Sequence, residues 1–199
     1  MKRIIIAVVF AGSLTVHANP ALEQRVEALE KEVTELKAAL APVMAEAKAK
    51  EIAEQQLMKA KERMRKDFEI YSQDELMEIE SLYQVANKQW NSQEGKDSLK
   101  ELVGKYDKAN RTGCALLYLA QMSQGEQREE YLKQAIGNFS DCYYGDGVQV
   151  GAFARYYLAH HYKEAGENSK AEVLFAELKT QYPDAIDHKG KLLQDLIKE

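Results

Sequence analysis

The sequence predicts an all-α protein in which an N-terminal coiled coil and a long helix precede an α-solenoid of helical hairpins. Three observations predict this fold. Apolar residues follow an unbroken heptad spacing over residues 22–43. From residue 72 onward, helical patterning recurs in segments of about 11–18 residues, and none shows the sustained alternation of a strand. These later segments also resemble one another in sequence.

The N-terminus is typical of a secretory signal peptide. Lys2 and Arg3 precede an apolar run over residues 4–16, which is short for a membrane span, and small residues follow it. An uncleaved anchor is the alternative. If residues 1–18 are removed, we expect a protein that is periplasmic or secreted, and soluble.

The remaining chain is acidic. Residues 1–18 contain two basic side chains and no acid, so the rest carries 25 basic and 32 acidic side chains. No basic cluster is free of interleaved acids, which argues against a nucleic-acid partner.

Residues 19–41 are predicted to form an oligomerising coiled coil. One seam position is occupied by Val26, Val33 and Leu40, and the other by Leu22, Leu29, Leu36 and Val43. At the flanking positions of a parallel pair, Arg25 would face Glu30 and Glu32 would face Lys37. Because a lone helix cannot bury such a stripe, the sequence predicts a homo-oligomer.

The number of chains in this oligomer has two interpretations. β-branched residues at one seam position and leucine at the other favour a parallel dimer. The sequence RVEALE at residues 25–30 instead resembles the Arg-apolar-x-x-apolar-Glu pattern associated with parallel trimers. We therefore expect a trimer or a dimer.

Residues 42–71 are predicted to form a long charged helix that connects the coiled coil to the hairpins. Pro42 suits the first turn of a new helix, since a proline inside a helix costs about 3 kcal/mol. An apolar stripe then resumes at Ala53, Leu57, Ala60, Met64, Phe68 and Tyr71. In the sequence SQDE, Ser72 and Glu75 form a capping box, which starts the helical repeat region over residues 72–199.

Residues 151–183 carry the clearest repeat unit. Its characteristic residues are Leu158, Ala159 and Tyr162 on one helix, Gly166 in the turn, Ala171 and Phe175 on the next helix, and Pro183 after it. These types and spacings resemble the tetratricopeptide repeat (TPR), a two-helix unit of about 34 residues. Ala86 and Ala120 mark two earlier, degenerate units, and residues 188–199 would form a capping helix.

The whole arrangement resembles a known family. A signal peptide, a short coiled coil and a C-terminal TPR-like array together resemble the periplasmic Tol-associated cell-division coordinator family. That resemblance implies a non-enzymatic scaffold or adaptor with a role in envelope organisation or cell division. Here a long charged helix replaces the flexible linker that is usual in the family.

The TPR resemblance implies a peptide-binding groove lined by the first helix of each hairpin. The positions carried over are Tyr83, Asn87, Trp90, Leu117, Gln121, Gln124, Tyr156, His160 and Lys163. Aromatic rings and amide groups suit the recognition of a protein or peptide partner. Two alternatives remain: these side chains pack the inner helix layer, or the long helix at residues 43–71 fills the groove and the protein is a structural spacer.

Catalytic and metal chemistry has weaker support. His160, His161 and Glu164 could hold part of a metal or hydrolytic site, but no third ligand lies at motif spacing and the HExxH order is absent. We therefore expect no enzyme activity, no cofactor and no small-molecule substrate. Cys114 and Cys142 could form a disulfide in an oxidising compartment or remain free thiols.

Overall fold

The computed structural model describes residues 20–197, and within that range it consists of helices and turns without a β-strand. This confirms the predicted all-α class. The elements are α1 (Pro20–Ile70), α2 (Gln73–Lys88), α3 (Gln93–Lys105), α4 (Asn110–Gln121), α5 (Gly125–Asn138), α6 (Val150–Glu164), α7 (Asn168–Gln181) and the single 3-10 turn η1 (Leu193–Leu196). None of these helices combines the length and apolar character needed to cross a membrane. The predicted signal peptide, residues 1–18, lies outside the described residues.

The chain divides into two compact units, Met1–Ala45 and Glu46–Glu199. The described part of the first unit lies in the first half of α1. Its seven seam side chains are between 46% and 63% exposed: Leu22, Val26, Leu29, Val33, Leu36, Leu40 and Val43. This apolar stripe is therefore not buried within a single chain.

The sequence predicted that Pro42 starts a new helix, but this prediction was wrong. Helix α1 continues through Pro42 without a break. The residues on both sides are rich in alanine, lysine and glutamate, which have high helix propensity. The boundary between the two units falls after Ala45, where the heptad seam also ends.

The remaining helices pack as consecutive hairpins. α2 packs on α3, α4 on α5 and α6 on α7, and each hairpin also contacts the next one. Ser72 accepts from the Glu75 N–H and Glu75 binds the Ser72 backbone, so the predicted capping box is confirmed. The small residues Ala86, Ala120 and Ala159 are at most 1% exposed, as expected where helices approach closely.

The most deeply buried face in the second half of α1 lies beside the apolar stripe that the sequence predicted. The buried residues are Ile52, Gln56, Ala60, Arg63 and Asp67, which we call the buried face of α1. Only Ala60 belongs to both sets, and Phe68 of the predicted stripe is 72% exposed. The predicted stripe is correct in part, because Ala53, Leu57, Met64 and Tyr71 are half-buried. The most deeply buried positions contact the polar backbone of turns, for which polar side chains are the suitable partners.

The buried face of α1 binds the turns between successive hairpins. Arg63 donates from Nη2 to the carbonyl of Lys108 at 3.0 Å, before α4. Its Nε lies 3.1 Å from a carboxylate oxygen of Asp141, before α6, as an ion pair. Gln56 donates to the carbonyl of Asp184, after α7, at 2.7 Å. One helix thus ties together the turns that follow α3, α5 and α7.

The turn between α5 and α6 approaches α1 closely at Gly147. A Cβ at this position would lie 3.1 Å from backbone atoms of Gln56 and Leu57. Its φ of 91° is also in the region that favours glycine. Gly190, in the turn after α7, has a similar φ of 74°. Gly147 and Gly190 each donate to the carbonyl three residues earlier, so the two turns have the same shape.

The predicted C-terminal capping helix is not an α-helix over its described part. Leu193–Leu196 form a single 3-10 turn, and Leu193 is only 1% exposed. This turn packs against α6 and α7. It therefore covers only a short part of the last hairpin.

Candidate functional site

A continuous row of aromatic rings crosses the hairpins, and we call it the aromatic belt. Neighbouring ring centroids are 4.5–6.2 Å apart along the order Trp90, Tyr118, Tyr144, His188, Phe153, Tyr156, His160 and Phe175. Trp90 lies in the turn before α3, Tyr144 in the turn between α5 and α6, and His188 in the turn after α7, whereas the other rings belong to α4, α6 and α7. The belt therefore joins all three hairpins, with buried rings such as Tyr144 and Phe153 in its middle.

At the N-terminal end of the belt, the rings are held in place and partly open to solvent. Tyr118 donates its hydroxyl to Asn87 at 2.8 Å and stacks on Tyr83 at 5.3 Å. Trp90 meets Tyr118 edge-on and is 52% exposed. Arg111 lies 4.4 Å from the Tyr83 ring centroid, in a cation–π contact. Trp90, Asn87 and Tyr118 thus form an accessible aromatic and amide surface.

Two predicted groove residues do not reach this surface. Tyr83 is 2% exposed and Leu117 is 0% exposed, so both pack the interior rather than line an open groove. For Tyr83 and Leu117, the burial agrees with the alternative that the predicted groove residues pack the inner helix layer.

Tyr144 occupies the middle of the belt. It is carried by the turn between α5 and α6, and its hydroxyl donates to the carbonyl of Cys114 on α4 at 3.3 Å. Burial raises the pKa of Tyr144 well above its ordinary value, so the phenol stays neutral. The inserted turn is therefore more than a spacer, because it lays a buried ring against the inner side of α4.

At the C-terminal end, His160 lies between Tyr156 and Phe175, at ring distances of 4.5 and 5.4 Å. Burial, followed by repulsion from Lys163, lowers its pKa below 6.5. Its Nε2 is buried without a hydrogen-bond partner in the described part of the chain. The neutral ring thus serves as an aromatic member of the belt with one unused polar atom.

The remaining predicted site residues lie on the edges. Gln121 is exposed and donates back to the carbonyl of Leu117 at 3.2 Å. Gln124 is exposed at the start of α5, and Lys163 is exposed at the end of α6. These three side chains are exposed and are not members of the belt.

The two adjacent histidines point to different neighbours. His161 lies 3.8 Å from Glu129 of α5, whereas His160 contacts belt rings. Glu164 lies 4.0 Å from Arg128. Across residues 20–197, no three or more histidine, cysteine or acidic side chains are grouped to hold a metal ion. Glu164 acts electrostatically on His160, whereas the ion-pair partner of His161 is Glu129.

The cysteines are buried free thiols in this structure. Cys114 and Cys142 are both 0% exposed. Burial raises the pKa of Cys142 to about 12 and also raises the pKa of Cys114. Thiols that remain protonated at neutral pH are poor nucleophiles. The disulfide considered from the sequence is not formed here.

His188 is a belt residue that the sequence analysis missed. It lies in the turn after α7, edge-on to both Tyr144 and Phe153, and its Nδ1 is 2.7 Å from Asp146 Oδ2. The pair joins the turn after α5 to the turn after α7. The only sequence signal for this contact is the similarity of the two turns, each of which contains a glycine, Gly147 or Gly190.

The chain has no match among protein-family models, curated proteins or solved structures.

The ion pair between His188 and Asp146 predicts a measurable titration. The hydrogen bond to Asp146 raises the pKa of His188 above 6.5. Burial favours a higher pKa for Asp146, but the hydrogen bond from His188 keeps the net value below 3.8. The stabilisation from His188 is therefore complete below about pH 6.5 and lost as pH rises through its folded pKa. The contribution of Asp146 is lost as pH falls through its lowered pKa.

Proton NMR titration checks this assignment. In the wild type His188 should titrate above 6.5, and Asp146→Asn should return it toward 6.5. His160 is the internal control, since burial should keep its pKa below 6.5 in both proteins. A wild-type His188 that titrates at or below 6.5 would contradict the ion pair.

Proposed function

We propose that this protein is a non-enzymatic scaffold that oligomerises through the seam of α1 and binds a protein or peptide partner on a TPR-like array. The signal-peptide pattern places it outside the cytoplasm in this proposal. The family resemblance adds a role in envelope organisation or cell division. The aromatic belt is the observation that carries the binding part of the proposal.

The belt supports peptide recognition because it combines ring surface with hydrogen-bonding groups. Trp90 is more than half exposed, and Tyr156, Tyr118 and His160 are partly exposed. Tryptophan and tyrosine are enriched among the residues that dominate binding energy. Asn87 is exposed beside these rings and adds an amide group that can fix the register of an extended peptide.

The exposed seam supports oligomerisation. Seven apolar side chains at heptad spacing are each about half exposed in the single chain, which is the state expected when their packing partners are other copies. Charge pairs at the flanking positions favour parallel copies of the same helix. Several copies of one weak surface would then bind a multivalent partner far more strongly than one copy.

The spacer alternative also has an observation in its favour. Tyr144 already covers the middle of the inner face of α4, as the hydrogen bond to Cys114 indicates. The side-chain hydrogen bonds of Gln56 and Arg63 on α1 go to the backbone of turns rather than to belt rings. A direct binding experiment distinguishes a groove that binds a partner from a groove that the chain's own residues fill.

Replacing seam leucines should dissociate the oligomer. We expect the wild type to sediment as a trimer or dimer and the double variant Leu29→Asp, Leu36→Asp to sediment as a monomer, since buried carboxylates cannot be tolerated in the seam. Sedimentation velocity measures the mass. The matched control Ala28→Asp, Ala38→Asp changes exposed positions outside the seam and should keep the oligomer. A monomeric wild type would refute the proposal.

Trp90→Ala and Tyr156→Ala should each weaken peptide binding by about tenfold or more. The probe is a set of peptides selected on the wild-type protein from a random-peptide library, and binding is measured by fluorescence anisotropy. Val173→Ala is the control, because Val173 is 58% exposed on α7 but lies outside the belt. Failure to select any peptide, or equal binding by all variants, would favour the spacer.

A further inference from the structure

Helix α7 and the turn that follows it repeat α5 and its turn. The two helices begin 43 residues apart and also end 43 residues apart. The turns share backbone hydrogen bonds: Val150 donates to Cys142 and Leu193 donates to Ala185, both at 2.8 Å. Each residue of α7 therefore has an equivalent in α5.

The surface of α5 shows what such a helix does when another helix packs on it. Leu132 of α5 is 0% exposed. Glu129, one turn earlier, accepts a hydrogen bond from the hydroxyl of Tyr162 at 2.8 Å and lies 3.8 Å from Nε2 of His161. Both partners belong to α6. An acid on α5 thus binds the next helix, one turn from a fully buried apolar side chain.

The equivalent residues of α7 line an open groove. Phe175 corresponds to Leu132 and Glu172 to Glu129, and both line a groove of about 520 Å³ together with Ala171 and Ala176. Among residues 20–197, only the short turn η1 and Ile197 occupy the place where α6 follows α5. Most of the surface that would receive a further helix is therefore uncovered.

The face of α6 that is turned to α5 has a simple pattern. His161 contacts α5, and Leu158 and Ala154 share its face at helical spacing. Ala154 and Leu158 are 0% and 3% exposed. The helix that fits such a surface thus presents a small, an aliphatic and a basic residue at positions i, i+4 and i+7.

The first helix of the array carries this same pattern on an uncovered face. When Ala86 of α2 is aligned with the equivalent alanine of α6, Ser81, Val85 and Lys88 take the three positions. Ser81 and Lys88 are exposed and Val85 is partly exposed. They line a shallow groove of about 460 Å³ with Met77, which is 64% exposed.

We propose that α2 of a second copy of this chain docks in the groove on α7, so that the arrays stack end to end. Lys88 of one copy then pairs with Glu172 of the next, as His161 pairs with Glu129 inside the chain. Val85 packs on Phe175, the equivalent of the buried Leu132. Because the two surfaces differ, the contact is heterologous and does not close by itself.

This contact is independent of the seam. The seam joins the N-terminal parts of copies into an oligomer of fixed size, whereas end-to-end stacking links further copies as the concentration rises. A scaffold with both contacts forms a network rather than a single particle.

Sedimentation velocity over a concentration series of the 199-residue chain tests the stacking. The wild type should show mass that grows with concentration, and Lys88→Glu and Glu172→Lys should each weaken this growth by about tenfold or more in association constant. The double variant Lys88→Glu, Glu172→Lys restores opposite charges and should recover the growth. Glu126→Lys, an exposed change on α5, is the control and should have no effect.

The seam variant Leu29→Asp, Leu36→Asp separates the two contacts, since it should still stack while lacking the fixed oligomer. Three results would overturn the stacking: growth of mass with concentration that disappears in the seam variant, that survives both single charge reversals, or that is absent from the wild type.

A labelled peptide with the α6 sequence, residues 149–165, is the second probe. If this peptide binds in the groove at Phe175 but the full chain does not stack, the groove receives a helix of another protein. That result would also overturn the proposal.

Discussion

The carboxylate of Asp67 is the group on which the arrangement of the hairpins depends. Its Oδ1 accepts from Arg63 at 2.7 Å, and its Oδ2 accepts from the backbone N–H of Asn110 at 2.9 Å. Asn110 begins α4, and the preceding N-cap residue, Ala109, has no side-chain acceptor of its own. A carboxylate at a helix N-terminus satisfies an unpaired N–H and meets the positive end of the helix dipole. Here that cap comes from another helix.

The same contact extends to the candidate binding surface. Asn110 donates from its side chain to the carbonyl of Tyr143 at 2.7 Å and accepts from the Tyr143 N–H at 2.8 Å. These two bonds fix the turn that carries Tyr144 into the aromatic belt. The second half of α1 is thus a structural part of the array and not only a connector. Its polar residues stabilise, from the side of the turns, the rings that we propose as a partner surface.

Much of the helical architecture could be predicted from sequence, because it rests on local signals. The capping box at Ser72, the alanines at helix contacts and the hairpin lengths all follow from propensity and periodicity. The register of α1 could not be found in this way, because its buried face includes Gln56 and Arg63, whose partners are backbone carbonyls distant in sequence. Hydrophobic periodicity carries no information about such contacts. For the same reason Tyr144 and His188 were missed as belt residues, since turns set their positions.

The stability of Asp67→Ala against that of Glu69→Ala tests most directly whether α1 holds the array together. Both residues lie on α1, but Asp67 is buried and Glu69 is exposed. Urea unfolding of the full chain, combined with amide hydrogen exchange, measures both effects. We predict that Asp67→Ala lowers the free energy of unfolding by about 3 kcal/mol, because it removes the buried carboxylate partner of Arg63 and the acceptor of the Asn110 N–H together. Protection should also be lost at the amides of Asn110 and Tyr143. Glu69→Ala should change stability by less than about 0.5 kcal/mol. Equal stability of the two variants, with both amides still protected, would contradict this account.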